Sequence, residues 1–263
     1  MSKLILKSAE QIALIRQSCD LLSRTLGELA KLIKPGVRTI DLDSMAREFI
    51  RDNGGEPAFL NYNGFPYSLC ISVNDQVVHG FPGKYELKDG DIISVDGGIV
   101  LNGYISDSAY TFAVGEVKPE VRDLLKITKE ALYAGIDQAT TGKRVGDISY
   151  SIQSYIEKYG YGIVRELVGH GVGVNLHEKP EIPNYGRRGN GVKLVDGMVI
   201  AIEPMVNLGK AGVKFWEDGW TVSTIDGLPS AHFEHTVAIA KGKPEVLTTF
   251  SYIEDILDKK DCY

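Results

Sequence analysis

Cysteine is scarce in this chain of 263 residues: Cys19, Cys70 and Cys262 are odd in number and far apart. That excludes a disulfide framework and a Cys-x-x-Cys zinc site, and it points to a reducing cytoplasm. No apolar run approaches the ~20 residues of a membrane span. The opening residues, Met1 to Lys7, lack the long apolar stretch of a secretion signal. Positive charge is not in excess either: the net charge of −6 leaves no basic footprint for nucleic acid. No Gly/Ser/Pro-rich linker divides the chain, so a single domain over residues 1–263 is expected. A hydrophobic fraction of 43% supplies its core.

What the chain does have is a repeat. Leu87-Lys88-Asp89-Gly90 leads through an apolar run to Asp96, and Leu194-Val195-Asp196-Gly197 leads through another to Glu203. An Asp-Gly turn followed by a β-branched run reads as a strand. Upstream, Gly36-x-Arg38-x-x-Asp41-Leu42 is echoed by Gly142-x-Arg144-x-x-Asp147-Ile148, and Gly54 by Gly160. Each of these stretches reads as an N-capped amphipathic helix stopped by a Gly. Longer helical patterns precede them, at about 8–33 and 118–139. Two pseudo-symmetric halves follow, about 8–117 and 118–248, with a polar tail over 251–263 that is expected to fray.

The repeat places acids. Asn102-Gly103 is a two-residue hairpin signal. A turn there sets Asp96 opposite Ala109 and Asp107 opposite Gly98, so the two carboxylates share a face on a diagonal. In the second half Glu203 corresponds to Asp96 and Glu234 to Asp107. Four carboxylates gathered in one pocket repel and resist ionisation unless cations join them. Of only five histidines, His170 in Gly169-His170-Gly171-Val172-Gly173 has small neighbours that leave its ring room, which makes it the candidate fifth ligand. Oxygen-rich sites with an imidazole suit Mn, Fe(II), Co or Zn. Two such ions hold a water between them and polarise a carbonyl, which is hydrolytic machinery.

Asp96, Asp107, His170, Glu203 and Glu234, in that order, resemble the five metal ligands of the methionine aminopeptidases. The phrases Val95-Asp96-Gly97-Gly98, Ser106-Asp107-Ser108-Ala109, Ile202-Glu203-Pro204 and Phe233-Glu234-His235-Thr236 agree. The ligand pattern is shared with prolidases and X-prolyl aminopeptidases. Cys70-Ile71-Ser72-Val73-Asn74 and Val78-His79-Gly80 resemble the bacterial type I form, and only 30 residues separate Glu203 from Glu234, too few for the type II insert. No N-terminal extension is evident. The resemblance implies an α+β pita-bread fold: a pseudo-two-fold internal repeat, with antiparallel strands around two divalent ions and helices behind.

It also implies roles. Water held by the ions attacks the first peptide bond of a chain beginning with methionine and a small second residue, and Glu203 acts as base and then proton donor. His177 contacts the scissile carbonyl, and His79 the substrate beside it. Phe59, Tyr62, Phe65, Cys70 and Trp220 wall an apolar methionine pocket. Phe59, Phe65, Leu176 and His232 depart from the family's usual residues at these places; Gln is common where His232 stands. His235 points away from Glu234 and reads as structural, and the Lys214–Thr221 segment rims the pocket. The partners implied are Met-initiated peptides and nascent chains, with action at the ribosome, as a monomer. The competing readings are an X-prolyl aminopeptidase or prolidase on the same fold, and a pita-bread binding protein that has lost catalysis.

Overall fold

The computed structural model describes residues 4–257, so Met1, Ser2 and Cys262 lie outside it. Helix α1 (Ala9–Ala30) starts with a reciprocal cap: the Ser8 hydroxyl accepts from Gln11 N–H while the Gln11 side chain accepts from Ser8 N–H. Helix α2 (Thr39–Asp52) is followed by β1 (Leu69–Val73), β2 (Gln76–Val78) and the hairpin β3 (Ile92–Leu101) and β4 (Tyr104–Ala113). The second half repeats the order with α3 (Pro119–Ile136) and α4 (Val145–Ile156). Short strands β5 (Gly169–Gly171), β6 (Glu178–Ile182), β7 (Val199–Ile202) and β8 (Met205–Asn207) come next, then β9 (Val213–Phe215), β10 (Val222–Thr224), β11 (Ser230–His232) and β12 (His235–Ala238). Helix α5 (Ser251–Glu254) closes the described chain.

The caps of α2 and α4 differ in detail from the motif's promise. Arg38 and Arg144 occupy the cap positions, and the Asp at the third helical position supplies the acceptor. Asp147 takes the Arg144 backbone N–H at 2.8 Å, whereas Asp41 pairs with the Arg38 guanidinium.

The hairpin forms in the expected register, with Asp96 opposite Ala109 and Gly98 opposite Asp107. Asn102 and Gly103 both take positive φ, 53° and 79°, the geometry a two-residue turn needs to match strand twist. In the second half the ladder breaks. β7 pairs with β12 and β8 with β11, all antiparallel, but the chain leaves one sheet for the other at Glu203-Pro204 and at Phe233-Glu234. Register is kept across the break, which leaves Glu203 directly opposite Glu234. The two acid pairs are therefore not congruent: one lies diagonal on a continuous hairpin, the other face to face across two interrupted strands. Proline cannot donate to a ladder, so Pro204 marks the exit.

Threonine hydroxyls staple the halves. Thr111 Oγ1 accepts the His232 N–H at 2.9 Å and donates to the His232 carbonyl at 2.7 Å. Thr236 Oγ1 does the same for Asp107, at 3.2 and 2.7 Å. One apolar cluster holds Leu26, Ile93 and Tyr110 from the first half with Leu124, Ile152, Ile200 and Phe233 from the second.

The tail does not fray where it is described. Ile253 is fully buried, Tyr252 donates to Asp20 at 3.0 Å, and a Cβ on Gly27 of α1 would meet Tyr252 Cβ at 2.7 Å. The glycine lets the tail dock, and Lys129 bonds Glu254 to hold it there.

Candidate metal centre and substrate pocket

All twelve residues singled out from the sequence line one cavity of about 300 Å³. Asp96 and Asp107 reach it from the hairpin, Glu203 and Glu234 from the strand breaks, and His170 from β5. Oxygens of Asp96, Asp107 and Glu234 lie within 4.8 Å of one another. His170 Nε2 stands 3.4 Å from Glu203 Oε1 and 3.7 Å from Asp107 Oδ2. Its Nδ1 is 3.0 Å from the Gly171 carbonyl, which fixes the proton there and leaves the Nε2 lone pair facing the acids.

The glycines around His170 serve a different end from the one the sequence suggested. A Cβ on Gly169 would strike the Ala201 carbonyl at 2.4 Å, and one on Gly171 the Lys179 carbonyl at 2.6 Å. They admit neighbouring strands rather than freeing the ring. Gly98 does make room in the pocket: a Cβ there would meet the Phe59 ring at 2.9 Å.

The acids are out of their element without a cation. Burial pushes the Asp96 carboxyl up to about 8. Burial first, then neighbouring carboxylates, raises Asp107, Glu203 and Glu234 well above the ordinary carboxylate range. Asp96 Oδ1, Asp107 Oδ1 and Glu234 Oε1 are buried without a hydrogen-bond partner. Desolvation lowers His170 to about 3 and so keeps its imidazole neutral. Orphaned oxygens, crowded carboxylates and a neutral nitrogen are a donor set that a divalent ion satisfies.

Beside the acids lies the apolar wall. Phe65 packs edge-on against Trp220 with ring centroids 5.1 Å apart, and Phe59, Cys70 and Leu176 complete a buried cluster. Met205, not foreseen, adds a second soft sulfur. The Cys70 thiol is held well above its ordinary value by burial and nearby carboxylates, which suits a wall and not a nucleophile. Only part of the Lys214–Thr221 segment meets the expectation. Trp220 lines the cavity, while Phe215 and Trp216 are exposed, and the Trp216 indole donates to Ser223 at 2.8 Å.

The histidines separate by environment. His79 holds a left-handed backbone, φ 59°, a strain of about 1 kcal/mol that presents its ring beside Trp220. Burial lowers it to about 4. His177 sits at the mouth, where its Nδ1 is 2.8 Å from the Tyr62 hydroxyl, a contact between residues 115 positions apart that no local motif announces. His235 lies outside the site, between Thr248, Tyr133 and a stacked Phe250, as expected of a structural residue.

A second feature escaped the sequence. Lys7 and Glu178, both buried, form an ion pair at 2.5 Å. The other Glu178 oxygen accepts Val174 and Asn175 N–H, each at 2.8 Å, so the pair fixes the loop that ends in His177. Lys7→Met should cost about 3–5 kcal/mol in urea unfolding, because it strands a buried carboxylate. The double variant Lys7→Met, Glu178→Gln should recover part of that loss, since the amide oxygen still accepts the loop's N–H groups. An unchanged unfolding midpoint in the single variant would deny the pair this role.

Antiparallel sheets with helices behind, closing on a buried acid-and-histidine centre beside an apolar pocket, define a metallohydrolase of the pita-bread type. The sequence profile of metallopeptidase family M24 matches residues 13–241, and the chain belongs to that family. It is 53% identical to the methionine aminopeptidase of Clostridium perfringens over 93% of this chain and 98% of that one. It is 49% identical to methionine aminopeptidase 1 of Bacillus subtilis over 93% and 99%. The crystal structure of methionine aminopeptidase from Rickettsia prowazekii superposes with a TM-score of 0.93 at 39% identity, over 94% of this chain and all of that one. Prolidase from Pyrococcus furiosus superposes at 0.77 and 26%, over 93% of this chain but 65% of its own.

Proposed function

We infer that this chain removes the N-terminal methionine from peptides and nascent proteins whose second residue is small. The observation that carries the reading is the joining, in one cavity, of the five-residue donor cluster to a wall of aromatic and sulfur-bearing side chains. The likeness to methionine aminopeptidases along nearly the full length favours it over an X-prolyl activity. A binding protein without catalysis has no need of the intact donor set.

Asp96, Asp107, His170, Glu203 and Glu234 would hold two divalent ions, drawn from Mn, Fe(II), Co and Zn. Such a pair supplies an activated water and stabilises charge on the carbonyl oxygen. Glu203 takes the water's proton and returns it to the departing amine, a task suited to a carboxyl whose burial raises its proton affinity. His177 donates to the scissile carbonyl, and His79 steadies the amide beside it. The wall of Phe59, Phe65, Cys70 and Trp220 excludes water and grips the methionine. This reading places the enzyme in the cytoplasm, as a monomer acting on chains leaving the ribosome. Among the described residues no helix is long and apolar enough to cross a membrane.

Hydrolysis of a peptide panel tests it. Met-Ala-Ser should be cut roughly 10²-fold faster than Ala-Ala-Ser, the discrimination an apolar pocket achieves. Ala-Pro and Ala-Pro-Pro should be left alone; cleavage of these in preference would hand the site to the X-prolyl reading. Tyr62→Phe keeps the wall but loses the bond to His177, so kcat should fall by up to ~10-fold with KM nearly unchanged. A change confined to KM would make Tyr62 wall only.

A further inference from the structure

His232 turns an unbonded Nε2 toward the carboxylates of Glu203 and Glu234. Its side chain is 2% exposed and its Nε2 has no hydrogen-bond partner. A buried polar atom left so costs about 1–3 kcal/mol, which a fold tolerates where something else completes it. Nε2 lies 3.8 Å from Glu203 Oε2 and 4.0 Å from Glu234 Oε2. Both separations are too long for a hydrogen bond. They do suit two donors on one ion: with bonds of about 2.0–2.2 Å, such donors stand no more than ~4.4 Å apart. His170 shows the same spacing to its neighbours, 3.4 and 3.7 Å.

We propose that His232 is a second imidazole ligand of the metal centre, acting on the ion that Glu203 holds. The inference rests on the reading that the acid cluster binds metal, and it adds a donor to that set. The orphaned atoms agree: Asp96 Oδ1, Asp107 Oδ1 and Glu234 Oε1 belong to residues lining one cavity, and the orphaned His232 Nε2 faces the carboxylates of Glu203 and Glu234 there. The backbone agrees too. Thr111 clamps both the N–H and the carbonyl of His232 from the opposite half, so the backbone that carries the ring is fixed before any ion arrives. With two imidazoles the centre favours Co and Zn over Mn, because nitrogen donors raise affinity along that series.

X-ray absorption of the full chain loaded with one equivalent of Co(II) decides the matter. Two imidazoles per ion are expected in the wild type and one in His232→Gln, and the variant's Co-to-Mn affinity ratio, read by competitive titration, should drop at least ~10-fold. A wild-type spectrum with a single imidazole overturns the proposal, even if the variant binds more weakly, since His232 would then steady a ligand instead of being one. No uptake of Co(II) by the wild type would remove the metal reading itself, and His232's role with it.

Discussion

Asp107→Asn should lower kcat/KM on Met-Ala-Ser by at least ~10³-fold while making the metal-stripped protein more stable. Asp107 lies between the other donors: its oxygens group with those of Asp96 and Glu234, and Oδ2 is 3.7 Å from His170 Nε2. On the proposed reading, losing this ligand forfeits several kcal/mol of the charge stabilisation that bound metal supplies, and about 4 kcal/mol is 10³ in rate. The same side chain burdens the fold. Burial and the charges of Asp96 and Glu203 hold its proton affinity high, so a neutral amide of the same shape relieves repulsion. Activity and chemical unfolding of the stripped variant check both halves of the statement. A variant that hydrolyses at the wild-type rate would end the enzymatic assignment of this cluster.

Bound metal should abolish a pH dependence that the stripped protein shows. The folded Asp96 carboxyl is raised to about 8, against about 4 in the unfolded chain, and Asp107, Glu203 and Glu234 move in the same direction. Between those values the folded state keeps protons that the unfolded state has released. Stability from these groups is therefore complete below pH ~4 and is lost as pH climbs through ~8, several kcal/mol over the cluster. Divalent ions bind the ionised, folded form and stabilise it by mass action, about 4 kcal/mol at a thousand-fold excess over Kd. In chelator, the unfolding midpoint should fall between pH ~7 and ~8, above the range in which histidines of the unfolded chain titrate; with excess Co or Mn that fall should be abolished, because ion-bound carboxylates hold no protons in either state. Parallel curves would mean that the carboxylates are not the groups titrating.

The sequence carried the skeleton of this site because its signals are local. Asn102-Gly103 sets a turn, a turn sets register, and register puts Asp96 and Asp107 on one face. The helix starts and the repeated Asp-Gly phrase are equally local. Departures came where distant segments meet. Pro204 signals that the Glu203 strand ends, but nothing local announces that the partner strand breaks opposite it at Glu234, because that depends on two sheets diverging. Lys7 and Glu178 are 171 residues apart and read singly as surface charges. The tail's composition is polar, yet Gly27 leaves a seat for Tyr252 that only packing reveals. His232 was visible as a departure from the family's usual residue; its orphaned Nε2, aimed at two carboxylates, required coordinates.

The most direct test of the central claim is anomalous diffraction from crystals of the Co-loaded protein. Two peaks about 3.5–4 Å apart, bounded by Asp96, Asp107, His170, Glu203 and Glu234, are predicted. Density with no peak among those five side chains, or cobalt only on the outer surface, would contradict it.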